Sequence, residues 1–297
     1  MGYANVEIQT HSWTSDGIND YRIVDRNFDN QVIAKNDAIF VAAGNSGDTS
    51  PGYVESPAKG LNVITVGNYN DDTDGIYFDS SYGNPQTKNQ KPEIVAPGTT
   101  ITAGGHRLSG TSMATPHAAA FAADLMSNYA WMKHKPHLMK AVMLAGATKS
   151  ISGGADKVGV GGIDFWSANY NGSFKWWTNA SYDYYKSHDS GTNNNILEWK
   201  TPSLSSGKKY RAVISWLNRG NYTYSHRTDS HPIGKDFDMT VYDPNGKYVC
   251  GSYSWDNSYE VCNFRTSVSG QYMIQIYRYA NRDRRNNMSL AVAVNSY

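Results

Sequence analysis

No run of about eighteen apolar residues, the length a membrane-crossing helix needs, occurs anywhere in the chain, so no membrane span is expected. Charge of one sign is scarce too. The 27 Lys and Arg residues nearly balance 26 Asp and Glu, for a formal net charge of +1. The basic residues are spread out, which argues against nucleic acid or an anionic membrane as the main partner. Arg282, Arg284 and Arg285 make one small basic cluster, and a solvated turn accounts for it. Hydrophobic residues are few, at 39%, yet the 297 residues include 22 Tyr and 8 Trp. Such rings bury area while keeping a polar handle, so a folded, surface-polar protein is expected rather than a disordered one. No basic, apolar leader opens the sequence. Met1-Gly2 runs directly into Tyr-Ala-Asn-Val-Glu-Ile, which reads as a strand. The chain is therefore expected to be a processed product or a gene fragment.

Cysteine is nearly absent. Cys250 and Cys262 lie equally far from Asp256, the centre of a turn-like Ser-Trp-Asp-Asn. That spacing could bring them face to face across an antiparallel hairpin as a disulfide. Two cysteines without nearby histidines are too few ligands for a zinc site.

What is present falls into two patterns. Residues 4–11 read as a short strand. Ile23, Val24, Phe28, Val32 and Ile33 recur at helical spacing between Asp20 and Lys35. Asp37–Ala43 is an apolar run of strand length, stopped by Gly44-Asn-Ser-Gly47. Strand, helix, strand in that order suggests a βαβ unit in a buried parallel sheet. Further strands are expected at 62–67, 92–97 and 99–103. An alanine-rich helix is expected from Ser112 to about Trp131, with Pro116 tolerated in its first turn, and a second helix from Pro136 to Ala147. Residues 171–194, rich in Asn, Ser, Tyr and Trp, read as a linker or joining segment. Short strands with turn signals follow, at 210–217, 237–242, 247–251, 260–264, 270–277 and 287–294, and suggest a β-sandwich over 195–297.

Two positions stand out chemically. Ser112 sits at the start of a buried helix, where free backbone N–H groups favour negative charge on a substrate oxygen. An ordinary N-cap serine would occupy the same place. Asn45 ends a buried strand among glycines, where its amide could donate to an oxyanion or serve as a turn residue.

Longer segments decide between these alternatives. Gly110-Thr-Ser-Met-Ala-Thr-Pro-His117, Ala42-Ala-Gly-Asn45-Ser-Gly47, Ser56-Pro-Ala58 and Lys91-Pro-Glu-Ile-Val-Ala-Pro-Gly98 resemble, in order, signature segments of the subtilisin-like serine peptidases. The resemblance implies Ser112 as nucleophile, with Asn45 and the Ser112 N–H as oxyanion donors. It implies a first specificity pocket lined by Ser12, Trp13 and Thr14 on one side and Ala42, Ala43 and Gly44 on the other. Thr14 stands where the family usually has glycine and could narrow that pocket. The implied fold over 1–170 is a partial subtilisin-like α/β core, a parallel sheet with flanking helices, ahead of an all-β, jelly-roll-like sandwich. The implied substrate is a polypeptide, and no cofactor is needed for the chemistry.

The family's catalytic aspartate and histidine motifs have no match before Asn45. They are expected on an N-terminal segment missing from this chain, which alone would then be inactive and would need that segment, or another chain, to cover its first sheet. His11, His106 and His117 are poor substitutes for the base. Phe237–Gly246 and Gly270–Ile276 resemble the small sandwich domains attached to many secreted bacterial peptidases, which implies a secreted or cell-surface parent. Asp236, Asp238 and Asp243 could hold a structural calcium, or be a solvated edge. The competing function is a non-catalytic module that binds peptide or glycan, with Tyr253 and Trp255 suited to sugar stacking.

Overall fold

A computed structural model of the chain describes residues 6–15, 20–83, 87–170, 172–181 and 196–297. Five strands make the first sheet: β1 (Ile8–His11), β2 (Ala38–Ala42), β3 (Ile64–Asn70), β4 (Gly75–Ile76) and β5 (Ile94–Pro97). Strands β1, β2, β3 and β5 run parallel, with Ile8 opposite Ala38, Phe40 opposite Ile64 and Val66 opposite Ile94. Only β4 is antiparallel to its neighbour β3.

A parallel sheet is covered on both faces, and the period of two sorts its side chains. Ile39 and Val41 point to one face, where helix α1 (Ile23–Lys35) packs Phe28 and Val32 against them. Ala38, Phe40, Ile64 and Val66 point to the other, under helices α2 (Thr111–Asn128) and α3 (Pro136–Gly146). The short strands β6 (Ile101–Ala103) and β7 (His106–Leu108) form an exposed hairpin just before α2, so His106 lies on a strand rather than in a loop. Pro116 also differs from expectation. It is the sixth residue of α2, past the first turn, and so leaves the Ser112 carbonyl without its intrahelical donor.

Two small helices, α4 (Ala155–Val158) and α5 (Phe165–Tyr170), lead to the second half. The segment expected as a linker contributes a ten-residue strand, β8 (Gly172–Ser181), whose backbone pairs along the last strand of the chain. The rest of that segment, 182–194, lies outside the described residues. The following strands are β9 (Ile196–Leu204), β10 (Lys209–Trp216), β11 (Lys235–Tyr242), β12 (Tyr248–Ser252), β13 (Tyr259–Arg265), β14 (Gly270–Asn281) and β15 (Asn287–Ser296). They form two antiparallel sheets, ordered β13-β10-β15-β8 and β12-β11-β14-β9. The fold is thus α/β followed by an all-β sandwich.

Strand β10 shows why its sequence reads as one apolar run. Ala212 and Ile214 face the second sheet, alongside Phe237, Ile274 and Val292. Val213 faces the other way and joins Ala291 and Ala293 against α3. The inner sheet is therefore buried on both sides. Arg211, nearly buried, reaches across this junction and donates from Nη1 to the Leu144 and Ala147 carbonyls at 3.2 and 2.6 Å, capping the C-terminal end of α3. Asn62 and Asn218 pair reciprocally between the halves: Asn62 Nδ2 donates to the Asn218 carbonyl at 2.7 Å, and the Asn218 N–H to Asn62 Oδ1 at 2.9 Å. A further helix, α6 (Gly220–His226), lies against α1. A Cβ on Gly220 would fall 2.3 Å from the Arg26 carbonyl oxygen, so only glycine allows that approach.

The disulfide forms, but not across a hairpin. Cys250 lies on β12 of one sheet and Cys262 on β13 of the other, so the bond staples the two layers of the sandwich together.

Arg211→Met should keep the aliphatic packing and lose the cap on α3. The Ala147 carbonyl then lacks its donor and the Leu144 carbonyl keeps only the Ala147 N–H at 3.4 Å, and unfolding by urea should show a loss of about 2 kcal/mol. An unchanged midpoint would mean that the cap contributes nothing.

Candidate active site

Crevices in open α/β sheets form beyond the carboxyl ends of the strands. Here β1 runs out into Ser12-Trp13-Thr14, β2 into Ala43-Gly44-Asn45, and the N-terminus of α2 brings up Ser112. Ser12, Trp13 and Thr14 are exposed, whereas Ala42, Ala43 and Gly44 are buried.

Ser112 and Ser12 clasp each other. The Ser112 Oγ donates to the Ser12 carbonyl at 3.2 Å, and the Ser12 Oγ donates to the Ser112 carbonyl at 3.0 Å. The second bond supplies the donor that Pro116 removes from the helix. The clasp therefore locks the exposed Ser12–Thr14 segment to the first turn of α2.

Asn45 is oriented by Thr111, whose side chain is fully buried. Asn45 Oδ1 accepts the Thr111 backbone N–H at 2.8 Å and the Thr111 hydroxyl at 3.0 Å. That hydroxyl in turn accepts the Gly44 N–H at 3.2 Å. With Oδ1 committed, the Asn45 Nδ2 group is the one left to donate outward. Gly110, at φ +147°, makes room for it: a Cβ there would sit 3.2 Å from Asn45 Nδ2. The loop carrying Asn45 is itself pinned by Ser81, whose Oγ accepts the Ser46 N–H at 3.0 Å and whose N–H donates to the Gly44 carbonyl at 3.0 Å. Ser112, in the first turn of α2, has an N–H with no intrahelical acceptor. Two donors and a hydroxyl thus meet at one helix end, a geometry suited to holding an oxyanion beside an attacking oxygen.

No base completes it among the described residues. The His11 Nε2 lies 3.3 Å from Gln9 Oε1, and its ring packs edge-on against Phe28; burial lowers its pKa. The His117 Nδ1 lies 2.6 Å from the Pro97 carbonyl. His106 is exposed on β7. None of the three hydrogen-bonds to Ser112.

Thr14 and Gly44 face each other across the crevice. A Cβ built on Gly44 would meet the Thr14 Cγ2 at 3.7 Å and the Ser81 Oγ at 2.9 Å. Even a methyl group on Gly44 would therefore be in contact with Thr14, so the two segments approach closely and the gap between them is narrow.

Sequence reasoning singled out Ser112 and Asn45, which the fold brings to one helix end, and missed Thr111, Ser81 and the hydroxyl of Ser12, which hydrogen-bond around them. Thr111 and Ser12 stood inside segments already singled out, yet 66 and 100 residues separate the partners. No local pattern reports such pairings.

The carboxylates of the sandwich do not form a metal cage. Among the described residues no group of three or more His, Cys, Asp or Glu side chains could hold a metal ion. Asp236 pairs with Arg282 through Oδ2, at 3.2 Å. Asp243 Oδ1 accepts the Asn245 and Lys247 N–H groups of its own turn at 2.8 and 2.9 Å. Asp238 is buried beside Asp236, and Glu260 accepts the Ser252 hydroxyl and the Ser254 N–H. Burial pushes Asp236 and Asp238 up to about 6 and Glu260 up to about 8.

Comparison with known proteins follows this geometry. The family model described as "Subtilase family" matches residues 3–188. Subtilisin-like protease 1 of Pseudogymnoascus destructans is 44% identical over 95 residues, which cover 30% of this chain and 22% of that protein. Thermitase of Thermoactinomyces vulgaris is 39% identical over 98 residues, covering 31% of this chain and 32% of that protein. The chain thus matches about a fifth to a third of the length of these curated relatives. Among solved structures, the prenylagaramide maturation protease PagA aligns with a TM-score of 0.44 at 25% identity, over 54% of this chain and 59% of that one. A cold-adapted subtilisin-like serine proteinase aligns with a TM-score of 0.40 at 23% identity, over 51% and 52%.

The raised carboxyl pKa values carry a stability consequence. The folded state holds these protons more tightly than the unfolded chain, so their contribution is full below about pH 4. It is lost as pH rises, first through about 6 for Asp236 and Asp238 and then through about 8 for Glu260. In Glu260→Gln the side chain is neutral at every pH, and the Ser252 hydroxyl can turn to accept from the new amide. Thermal midpoints of the wild type should fall between pH 6 and 8, and those of Glu260→Gln should stay level there. Parallel curves would refute the assignment.

Proposed function

The chain belongs to the subtilase family, and from that premise we propose that it is the nucleophile-bearing part of a serine endopeptidase that cleaves polypeptides by acyl transfer. The observation that carries this reading is the Thr111-oriented amide of Asn45 beside the hydroxyl and N–H of Ser112. Ser112 Oγ attacks the scissile carbonyl carbon. Asn45 Nδ2 and the Ser112 N–H hold the oxygen that becomes negative.

The Ser112 proton must leave for a base, and in this chain it points to a backbone carbonyl instead. A serine alcohol without an adjacent base is a weak nucleophile. We therefore assign the histidine and its orienting aspartate to polypeptide outside these 297 residues, and read the chain alone as inactive. No cofactor enters the chemistry.

An extended substrate would lie along the backbone of Ser12–Thr14 and Ala42–Gly44. The narrow gap between Thr14 and Gly44 favours a small side chain just before the scissile bond. A peptidase that works on external polypeptides suits a secreted or cell-surface parent.

Labelling with a fluorophosphonate probe tests the assignment. The chain alone should label no more than its Ser112→Ala variant. Supplied with a subtilase segment carrying the aspartate and histidine, it should label, and Ser112→Ala should abolish the signal. Strong Ser112-dependent labelling of the chain alone would sink the view that the base comes from elsewhere. Labelling that survives Ser112→Ala in the completed protein would remove Ser112 as the nucleophile. In the completed protein, Asn45→Ala should slow peptide hydrolysis by about a hundredfold or more.

A further inference from the structure

The outer face of the sheet β12-β11-β14-β9 is covered by no other element among the described residues, and its composition is unusual for a solvated face. Strand register lines up Tyr248, Tyr242, Met273 and Lys200 in one row across all four strands. The next row holds Gly251, Thr240, Gln275 and Glu198. The Tyr242 and Tyr248 rings meet edge to face, with centroids 6.3 Å apart. Tyr253 folds back over the bare backbone of Gly251, where a Cβ would fall 2.2 Å from its hydroxyl oxygen, and that hydroxyl lies 3.2 Å from the Thr240 Oγ1. Tyr248 and Tyr253 remain 54% exposed, so ring area is presented rather than buried.

A cavity of about 660 Å³ opens on this face. Tyr242, Gln271, Gln275 and Lys200 line it, and the Asp243-Pro244 turn closes one end. Gln275 is held in place by a 2.8 Å bond from its Nε2 to Glu198 Oε1. The volume lies within the range of small-molecule sites.

We propose that this face binds a neutral, extended oligosaccharide. A pyranose ring has one face of C–H groups, which suits the negative face of an aromatic ring. Its edge carries hydroxyls that both donate and accept, which suits planar amides such as Gln271 and Gln275. Lys200 shares the cavity lining with Asp243 and the strand face with Glu198, leaving no excess of positive charge to select a sulfated or phosphorylated chain. A peptide fits less well. Strand addition needs the unpaired backbone of a sheet edge, whereas Tyr242, Gln271 and Gln275 lie on the interior strands β11 and β14. Beside the Tyr242 ring, Met273 and Pro244 are the apolar side chains of its lining, and among the described residues no enclosed apolar pocket forms there to receive a peptide's anchors. Of the two aromatics that the sequence singled out, Tyr253 belongs to this face, while Trp255 packs at a tilt against His231, with centroids 4.6 Å apart.

Calorimetric titration of the 297-residue chain with cellohexaose, xylohexaose, mannohexaose and chitohexaose, and with a proline-rich decapeptide, tests this. At least one hexasaccharide should bind with a Kd of about a millimolar or below. Tyr242→Ala and Gln271→Ala should each weaken it by about tenfold or more, while Trp255→Ala leaves it unchanged. Should Tyr242→Ala also lower the thermal midpoint, the exposed Gln271 variant decides. Binding of none of the sugars, binding of the peptide alone, or binding that survives Gln271→Ala would overturn the proposal. Since Ser112 takes no part, these outcomes do not bear on the peptidase reading.

Discussion

One buried carboxylate holds the layers of this molecule in register. Glu93, at the entry to β5, is fully buried, with Lys91 and the Lys140 Nζ (2.7 Å) on its Oε1 and the Thr65 N–H (2.7 Å) on its Oε2. Lys140 comes from α3 and donates also to the Leu61 and Val63 carbonyls, at 2.7 and 3.0 Å. Its charge lies 5.2 Å from the ring centroid of Tyr259, on the sandwich. Sheet, helix and sandwich therefore share one network. Burial still pulls the Lys140 pKa down to about 8, opposed by Glu93. A buried charge that loses its partner is strongly destabilising, whereas a satisfied network specifies one arrangement.

The loop that Lys140 grips is held from its other side by α1. Asp25 accepts the Ser56 hydroxyl at 2.7 Å and the Lys59 N–H at 3.2 Å. Asp29 accepts the N–H groups of Leu61 and Asn62 at 2.9 and 2.7 Å. Ser258 of the sandwich donates to the Leu61 carbonyl at 2.5 Å, and Asn218 closes on Asn62. Residues 56–63 are thus a hub. A loop whose polar backbone would be costly to bury is paired from three directions. The sandwich is built into the core rather than tethered to it, and its inner sheet serves as a wall for α3.

The Ser112 turn depends on the same kind of exchange at smaller scale. Pro116 interrupts the ladder of α2, and the vacancy it leaves on the Ser112 carbonyl is filled by Ser12. A local defect thereby couples the helix to the exposed continuation of β1. Thr111 does the same for Asn45, spending its hydroxyl to fix which end of the amide points outward. Sites are accurate when rigid elements carry them and a second set of bonds supports them. Both conditions hold here for the two donors and the hydroxyl.

The sequence by itself determined most elements and the family, and singled out two residues. Apolar runs such as Ala38–Ala42 and the alanine-rich stretch after Ser112 declare strand and helix, because period and run length are local properties. Ser112 and Asn45 were legible because their segments are long and specific. Tertiary structure alone decided the pairings. Nothing around Pro116 announces Ser12, and nothing near Cys250 shows that Cys262 lies in the opposite sheet. No local pattern marks Asp25 and Asp29, yet they are buried against backbone donors more than thirty residues away. Hydrogen bonds between distant segments depend on how layers stack, and stacking leaves no periodic trace in the chain. The serine segment thus declares the family, while the arrangement that orients it belongs to the fold.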